Sequence, residues 1–263
     1  MTRPVIALLT DFGTQDHYVG AMRGVALRIC PDATLADITH EIPPQDVLTG
    51  ALELASAYTY FPDGTVFLCV VDPGVGSARR AIAAAAGPFF FVAPDNGLLT
   101  LAFRDRPPET VVELAERRYA RQTISRTFEG RDRFAPAAAW LAAGTSLAAL
   151  GPAIRDWMTI DVPVARVEGD ELLGEVVHVD RFGNLVTNID RQTFRNFVGA
   201  ARPEIAIAGQ AVPKLVETYS EGHHGSIAAL FGSSDQLEIA SPGGSAAQRL
   251  GLTRGAPVIV TLC

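Results

Sequence analysis

Several short stretches place ionisable and aromatic side chains where they could act on a ligand. In CVVDPGVGSARR (69–80) an apolar run ends in Asp72, and Gly74 and Gly76 separate that acid from Arg79 and Arg80. The loop lacks the GxxxxGKS/T spacing of a phosphate cradle, and an acid at its mouth repels phosphate. Its glycines instead let the chain reverse, so that Arg79 folds back on Asp72 as a charge-assisted pair. Such a pair either orients a carboxylate for chemistry or closes a tight turn. In LLTDFGTQDHYVG (8–20) Asp11 follows another apolar run, with Thr14 and Asp16 close behind. A carboxylate at the carboxyl end of a parallel strand lines the ligand crevice of an open sheet. Its two oxygens match the paired hydroxyls of a vicinal diol such as a ribose. The competing role is a cap for the helix HYVGAMRG.

RTFEGRDRFAP (126–136) puts Glu129 on a loop from which it can point into a site; locally, Asp132 reads as a helix cap and Arg131 as a partner for an acid across a groove. VDRFGNLVTNI (179–189) gathers Asp180, Phe182 and Asn184 around one glycine. Phe182 can stack on a flat ring. Asn184 either hydrogen-bonds a ligand or holds a left-handed backbone position. GHHGS (222–226) reads as an exposed loop, because adjacent histidines do not easily share one metal ion and few carboxylates lie near them.

Alternating elements must position these groups. VIALLT, TLADIT and TVFLCVV read as buried strands, separated by the helical patterns YVGAMRGVALRIC and PQDVLTGALELASAYTYF. AIAAAA and FFFVAP form a hairpin around Gly87-Pro88, NGLLTLAFR a short helix, ETVVELA a strand and RDRFAPAAAWLAAG a helix closed by Gly144. This order predicts an α/β domain with a mostly parallel sheet over residues 1–160. Residues 161–263 change texture to VARVEGDELLGEVVHVD (two strands around Gly169-Asp170), NLVTNI, EIAIAG, SIAALFG, QLEIA and PVIVTL. They predict a smaller, mostly β, barrel-like domain whose only helical piece is GSAAQRLG.

Composition narrows the function. The chain has 263 residues, 48% of them hydrophobic, which is enough for a packed core. Its formal charge of −7 argues against a nucleic-acid backbone as partner and is compatible with a cationic or zwitterionic small molecule. Cys30 and Cys69 lie in apolar runs and read as buried free thiols; no Cys/His spacing marks zinc. The first residues lack the architecture of a signal peptide, and no apolar run reaches membrane-spanning length, so a soluble cytoplasmic protein is expected.

Taken in chain order, LLTDFGTQDHYVGAMRG, VVDPGVGSARR, APDNGLLT, TFEGRDRFAPAAAWLA, VDRFGNLVTNI and GSAA resemble one family. It is the S-adenosylmethionine hydroxide adenosyltransferases, or adenosine-forming S-adenosylmethionine hydrolases, with the fluorinase and chlorinase enzymes as relatives. The resemblance implies hydrolysis of S-adenosylmethionine to adenosine and L-methionine by attack of water or hydroxide at ribose C5′, with no cofactor. It also implies a homotrimer, each site lying between the first domain of one subunit and the second domain of its neighbour. By motif, Asp11 corresponds to the carboxylate that grips both ribose hydroxyls and Asp16 to a contact with the methionine amino group. Asp180, Phe182 and Asn184 correspond to residues meeting the methionine end and the adenine. Phe231, Ser241 and Ser245 fall in the region that holds the adenine and the carboxylate end.

The hydrolase branch carries an Asp-Arg-His set that handles water. Asp72 and Arg79 fit its first two members. Where the family has TFHGRD this chain has TFEGRD, so Glu129 stands at the third. Retention of Asp72, and the lack of the fluorinase's first-domain insertion, favour water over halide. Three roles for Glu129 stay open: a substitute proton acceptor, an orienting partner of Arg79 with Asp72 as the base, or the mark of a non-catalytic adenosyl-ligand binder. A halogenase is the remaining alternative.

Overall fold

The computed structural model describes residues 3–263, and every structural statement below concerns these residues. They divide into two compact units, the first ending at Asp161 and the second running Val162–Cys263.

The first unit opens with β1 (Val5–Thr10), α1 (Tyr18–Ile29), β2 (Thr34–Thr39), α2 (Val47–Ala57) and β3 (Val66–Val70). It continues with β4 (Ala81–Ala86), β5 (Phe89–Pro94), α3 (Thr100–Asp105), β6 (Thr110–Glu113), a π-helical turn (Gly130–Phe134), α4 (Ala135–Ala142) and β7 (Ala153–Ile154). The strands form one sheet in the order β2-β1-β3-β5-β4-β6-β7. β2, β1, β3 and β5 run parallel, whereas β4, β6 and β7 pair antiparallel on the far side. The hairpin at Gly87-Pro88 causes this change of direction, since a tight turn can only join antiparallel strands.

Alternate residues of the sheet go to opposite faces. Val66, Leu68 and Val70 pack with Met22 and Ala26 of α1 and with the alanines of α4. Phe67, Cys69 and Val71 pack with Leu54 of α2 and with Ala102 and Phe103 of α3. Both faces are therefore covered by helices, which explains why these strands read as continuous apolar runs. Cys30 and Cys69 are both buried free thiols. The Phe67 and Phe91 rings stack at a centroid separation of 5.1 Å, with Tyr58, Phe61 and Phe89 packed edgewise around them.

The second unit contains β8 (Arg166–Glu168), β9 (Glu171–Val179), β10 (Leu185–Asp190), α5 (Arg191–Val198), β11 (Pro203–Ile207), β12 (Gln210–Val212), β13 (Ala228–Phe231), β14 (Gln236–Ala240), α6 (Ala246–Leu250) and β15 (Pro257–Leu262). Its strands form an antiparallel, nearly closed barrel-like sheet in the order β12-β11-β15-β9-β10-β14-β13, with β8 on β9. β9 is shared: its first half pairs with β15 and its second half with β10. It turns this corner at Gly174, where a Cβ would lie 2.5 Å from Ile189. The sequence reading of a single helical piece in this half is corrected by α5. RQTFRNFV carries few apolar residues, but the Asp190 carboxylate caps its start by accepting from the Thr193 N–H at 2.8 Å. One apolar stripe, including the buried Phe194, docks it on the barrel.

The aromatic cluster is central to the first unit, so Phe67→Ala is expected to lower its stability by about 3–5 kcal/mol. Urea denaturation checks this, and a loss under about 1 kcal/mol would show that the cluster closes over the gap.

Candidate active site

β1, β3 and β5 are parallel, so their carboxyl ends share one edge of the sheet. Asp11 follows β1, Asp72 follows β3 by two residues, and Asp95 and Asn96 follow β5. β1 leads through α1 to β2 on one side of it, whereas its other neighbour β3 leads on to β4 and β5, so the chain leaves β1 and β3 toward opposite sides. In an open α/β sheet that switch point is where a crevice opens for ligand.

The loop after β3 turns back on itself. The Val75 N–H donates to the Asp72 carbonyl at 3.3 Å and the Ser77 N–H to the Gly74 carbonyl at 3.1 Å. Gly76 has φ +77°, and a Cβ there would stand 2.5 Å from the Arg126 carbonyl oxygen. Glycine is thus required both for the backbone conformation and for the close approach of the 126 segment. The reversal lays Arg79 along Asp72: Nε donates to Oδ1 at 2.9 Å and Nη2 to Oδ2. The same Nη2 donates to Glu129 Oε2 at 2.7 Å. The Phe134 ring lies 5.1 Å from the guanidinium carbon and supports it from one side.

All three side chains are largely withdrawn from water, with 5% of Asp72, 10% of Arg79 and 14% of Glu129 exposed. Burial by itself disfavours the Arg79 charge. The hydrogen bond and charge of Asp72, joined by those of Glu129, outweigh it and raise the Arg79 pKa above its ordinary value. Glu129 reaches the site because the π turn begins immediately after it. Such single wide turns often set a functional side chain out of helical register.

Asp11 lies half-buried on the same rim. Its Oδ2 accepts from the Gln45 N–H at 2.8 Å. Burial raises its pKa, and the negative field of Asp72 adds to the rise. The cap reading for this stretch does not hold: α1 starts after His17 with no side-chain cap. Asp16 is exposed on the turn before α1. The Asp132 cap reading is also corrected. Asp132 sits inside the π turn, fully buried, and Arg131 pairs with it, not with an acid across a groove. Arg121 donates to the same carboxylate at 2.7 Å and the Ser125 N–H at 2.8 Å. Asp132 therefore ties the 121–125 segment to the turn that carries Glu129.

In the second unit Asp180 organises the β9–β10 turn. Its Oδ1 accepts from the Phe182 and Asn184 N–H groups and its Oδ2 from the Asn184 amide, each at 2.8 Å. The left-handed position belongs to Gly183, φ +82°, and not to Asn184. A Cβ on Gly183 would collide with Ser245. This framework presents Phe182 with 77% of the residue's surface exposed. Ser245 caps α6, while the buried Ser241 hydroxyl has no hydrogen-bond partner. Phe231 is already engaged, 5.1 Å from the Phe194 ring and under the Arg191 guanidinium.

The sequence reading missed Phe134 beneath Arg79, the Gln45 N–H on Asp11, and Arg80, which binds the buried Asp95 at 2.8 Å and Asp156 at 2.7 Å. A second arginine in GSARR was visible as a charge, but its partners lie 15 and 76 residues away. Among the described residues no three His, Cys, Asp or Glu side chains cluster as metal ligands would.

The chain belongs to the S-adenosylmethionine hydroxide adenosyltransferase family: residues 6–151 match the model of its N-terminal domain and residues 174–259 that of its C-terminal domain. An (R)-S-adenosyl-L-methionine hydrolase of Thermus thermophilus is 41% identical, over 97% of this chain and 98% of the relative. A fluorinase of Actinoplanes sp. is 32% identical, over 72% of each. A crystal structure of an uncharacterized conserved protein from Thermotoga maritima superposes with a TM-score of 0.91 at 35% identity, covering 97% of this chain and 99% of that one.

Asp132 generates a pH prediction. Burial alone would raise its pKa from 3.8, but Arg131, the Ser125 N–H and Arg121 outweigh this and hold it down to about 2. The stability it contributes is therefore complete above the unfolded value and disappears as pH falls through the folded value. Asp132→Asn is expected to destabilise by about 1–3 kcal/mol at pH 7. The penalty should shrink toward zero by about pH 2. Thermal melts at both pH values check this; an equal penalty at both would show that the carboxylate's charge contributes nothing.

Proposed function

We propose that this chain hydrolyses S-adenosylmethionine to adenosine and L-methionine, with Asp72, Arg79 and Glu129 handling the attacking water. The observation that carries the reading is the guanidinium of Arg79 held between two carboxylates at the carboxyl edge of β1 and β3, beside Asp11. The hydrolase relative matches nearly the whole chain, the fluorinase a smaller share at lower identity. The Thermus thermophilus relative is an (R)-S-adenosyl-L-methionine hydrolase. We carry that epimer over as the preferred substrate.

The reaction is a substitution at C5′. A water oxygen forms the C5′–O bond while the C5′–S bond breaks, and its electron pair returns to sulfur, giving a neutral thioether. The sulfonium is activated by its own charge, so the protein's task is alignment and removal of solvent. Alignment of this kind can lower a barrier by roughly 7–11 kcal/mol. Arg79 has donor capacity left on Nη1, which among the described residues donates to the Arg80 carbonyl at 3.4 Å. It can hold the water oxygen there. The water becomes acidic as its oxygen gives up electrons to C5′, and Asp72 accepts that proton during attack. Glu129 is already turned onto Arg79, which supports an orienting role with Asp72 as the acceptor.

Asp11 is proposed to accept from both ribose hydroxyls, and Asp16 to meet the methionine amino group. The Asp180 turn with Phe182 and Asn184, together with Phe231, Ser241 and Ser245, is proposed to complete the site from a neighbouring copy in a homotrimer. The presentation of the Phe182 ring on a turn fixed by Asp180 supports this. No helix among the described residues is long and apolar enough to cross a membrane, and we place the enzyme in the cytoplasm without a resident cofactor. Light scattering on the purified 28.0 kDa chain should give the mass of a trimer; a monomer would refute the shared site.

Incubation with each sulfur epimer, with and without chloride, should yield adenosine and methionine, faster from the R epimer. A 5′-chloronucleoside would replace this reading with a halogenase, and saturable binding without turnover would replace it with an adenosyl-ligand binder. Asp72→Asn should lower kcat by about 100-fold or more while changing substrate affinity little. Unchanged kcat would remove Asp72 from the chemistry.

A further inference from the structure

We infer that Arg133 is a positioning residue for the Asp72–Arg79–Glu129 set; this inference rests on the hydrolase reading above. Arg133 lies four residues after Glu129, within the π turn. Its Nε is 3.8 Å from Glu129 Oε2, the same oxygen that accepts from Arg79 at 2.7 Å. That Nε is buried and has no hydrogen-bond acceptor. At the other end of the guanidinium, Nη1 donates to the Leu114 carbonyl at 2.9 Å, just beyond the end of β6. Arg133 is thus fixed to the sheet with an unspent donor 3.8 Å from Glu129.

Charge balance explains what this accomplishes. Asp72 and Glu129 both depend on Arg79, so two carboxylates share one cation in a part-buried place. Asp11, on the same rim, adds a further carboxylate. Arg131 offers no relief, because it is closed on Asp132. Without a second cation, Glu129 would either draw Arg79 off Asp72 or turn out to solvent. Arg133 supplies that cation, and Glu129 Oε2 sits between two guanidiniums. Arg79 can then keep its bidentate grip on Asp72 while still facing the water. Loss of Arg133 should therefore affect alignment of the nucleophile and leave substrate binding nearly intact.

The test is a cycle of Arg133→Met, Glu129→Gln and the double variant, with Arg133→Lys as rescue. Arg133→Met should lower kcat roughly five- to tenfold with KM changed less than about twofold, the scale of one partly buried charge contact. Arg133→Lys should recover most of the loss. In the Glu129→Gln background Arg133→Met should lower kcat no further. The lost bond to Leu114 is common to both backgrounds, so an equal loss in both would assign the effect to that bond and overturn the inference. Unchanged kcat in a folded Arg133→Met protein would overturn it too. If the wild-type protein makes no adenosine, the hydrolase reading falls by itself, and the pair is then judged by melting temperature. Non-additive shifts across the cycle support the Glu129–Arg133 coupling, and additive shifts refute it.

Discussion

The Arg79 guanidinium is the one group on which the site's geometry depends. Moving a cation out of water costs several kcal/mol unless its donors are matched, and here two carboxylates and an aromatic face match them. The pairing constrains everything near it. Asp72 must leave β3 in one direction, the glycines must reverse the chain within a few residues, and the segment carrying Glu129 must approach from the far side. Gly76 joins two of these demands, since only a residue without Cβ leaves room for the Arg126 carbonyl. The sheet in turn is rigid where it matters: β3 is buried along its whole length and lies between β1 and β5.

The π turn works alongside this pair. A regular helix starting earlier would have carried Glu129 and Phe134 round on a different pitch. The wide turn lets the acid face Arg79 while Phe134 lies under the same guanidinium. Such a turn is held by contacts outside itself. Asp132 provides them, accepting from Arg121 and the Ser125 N–H as well as from Arg131 within the turn. An acid that the local sequence presents as a helix cap is in fact the fastener between two loops. Its near-total burial is tolerable because every oxygen is matched.

Much of the architecture was legible because apolar runs and punctuation are local signals. The strands VIALLT, TVFLCVV and FFFVAP, the Gly87-Pro88 hairpin and the Asp72–Arg79 reversal needed only neighbouring residues to be read. What was not legible depended on distance or on a single cap. α5 has little apolar content, and its existence rests on the Asp190 cap and the docking of Phe194. A left-handed position was one of two readings of Asn184, yet the adjacent Gly183 takes it, and Asn184 turns its side chain onto Asp180. The partners of Arg80 and Asp132 are set by tertiary packing, which no spacing rule encodes. Arg133 lay in plain view four residues after Glu129, but the pair gains meaning only once Glu129 is known to face Arg79.

The arrangement also bears on which nucleophile such a site can admit. A halide must shed its water shell and then sit beside fixed charge. Next to Asp72 and Glu129, with Asp11 on the same rim, it would be repelled by the surrounding carboxylates. Water is neutral and meets no such penalty, and it can use both a guanidinium donor and a carboxylate acceptor. The sulfonium, being cationic, gains from the same acidic surroundings. That attraction stabilises bound substrate as well as transition state, so it supports affinity more than rate. Rate must come from what changes during attack: positive charge growing on the water oxygen as it fades from sulfur. Asp72 is then useful in proportion to its nearness to the oxygen, and Arg79, by fixing Asp72 at both carboxylate oxygens, sets that distance. The pair selects the nucleophile and aligns it through the same contacts.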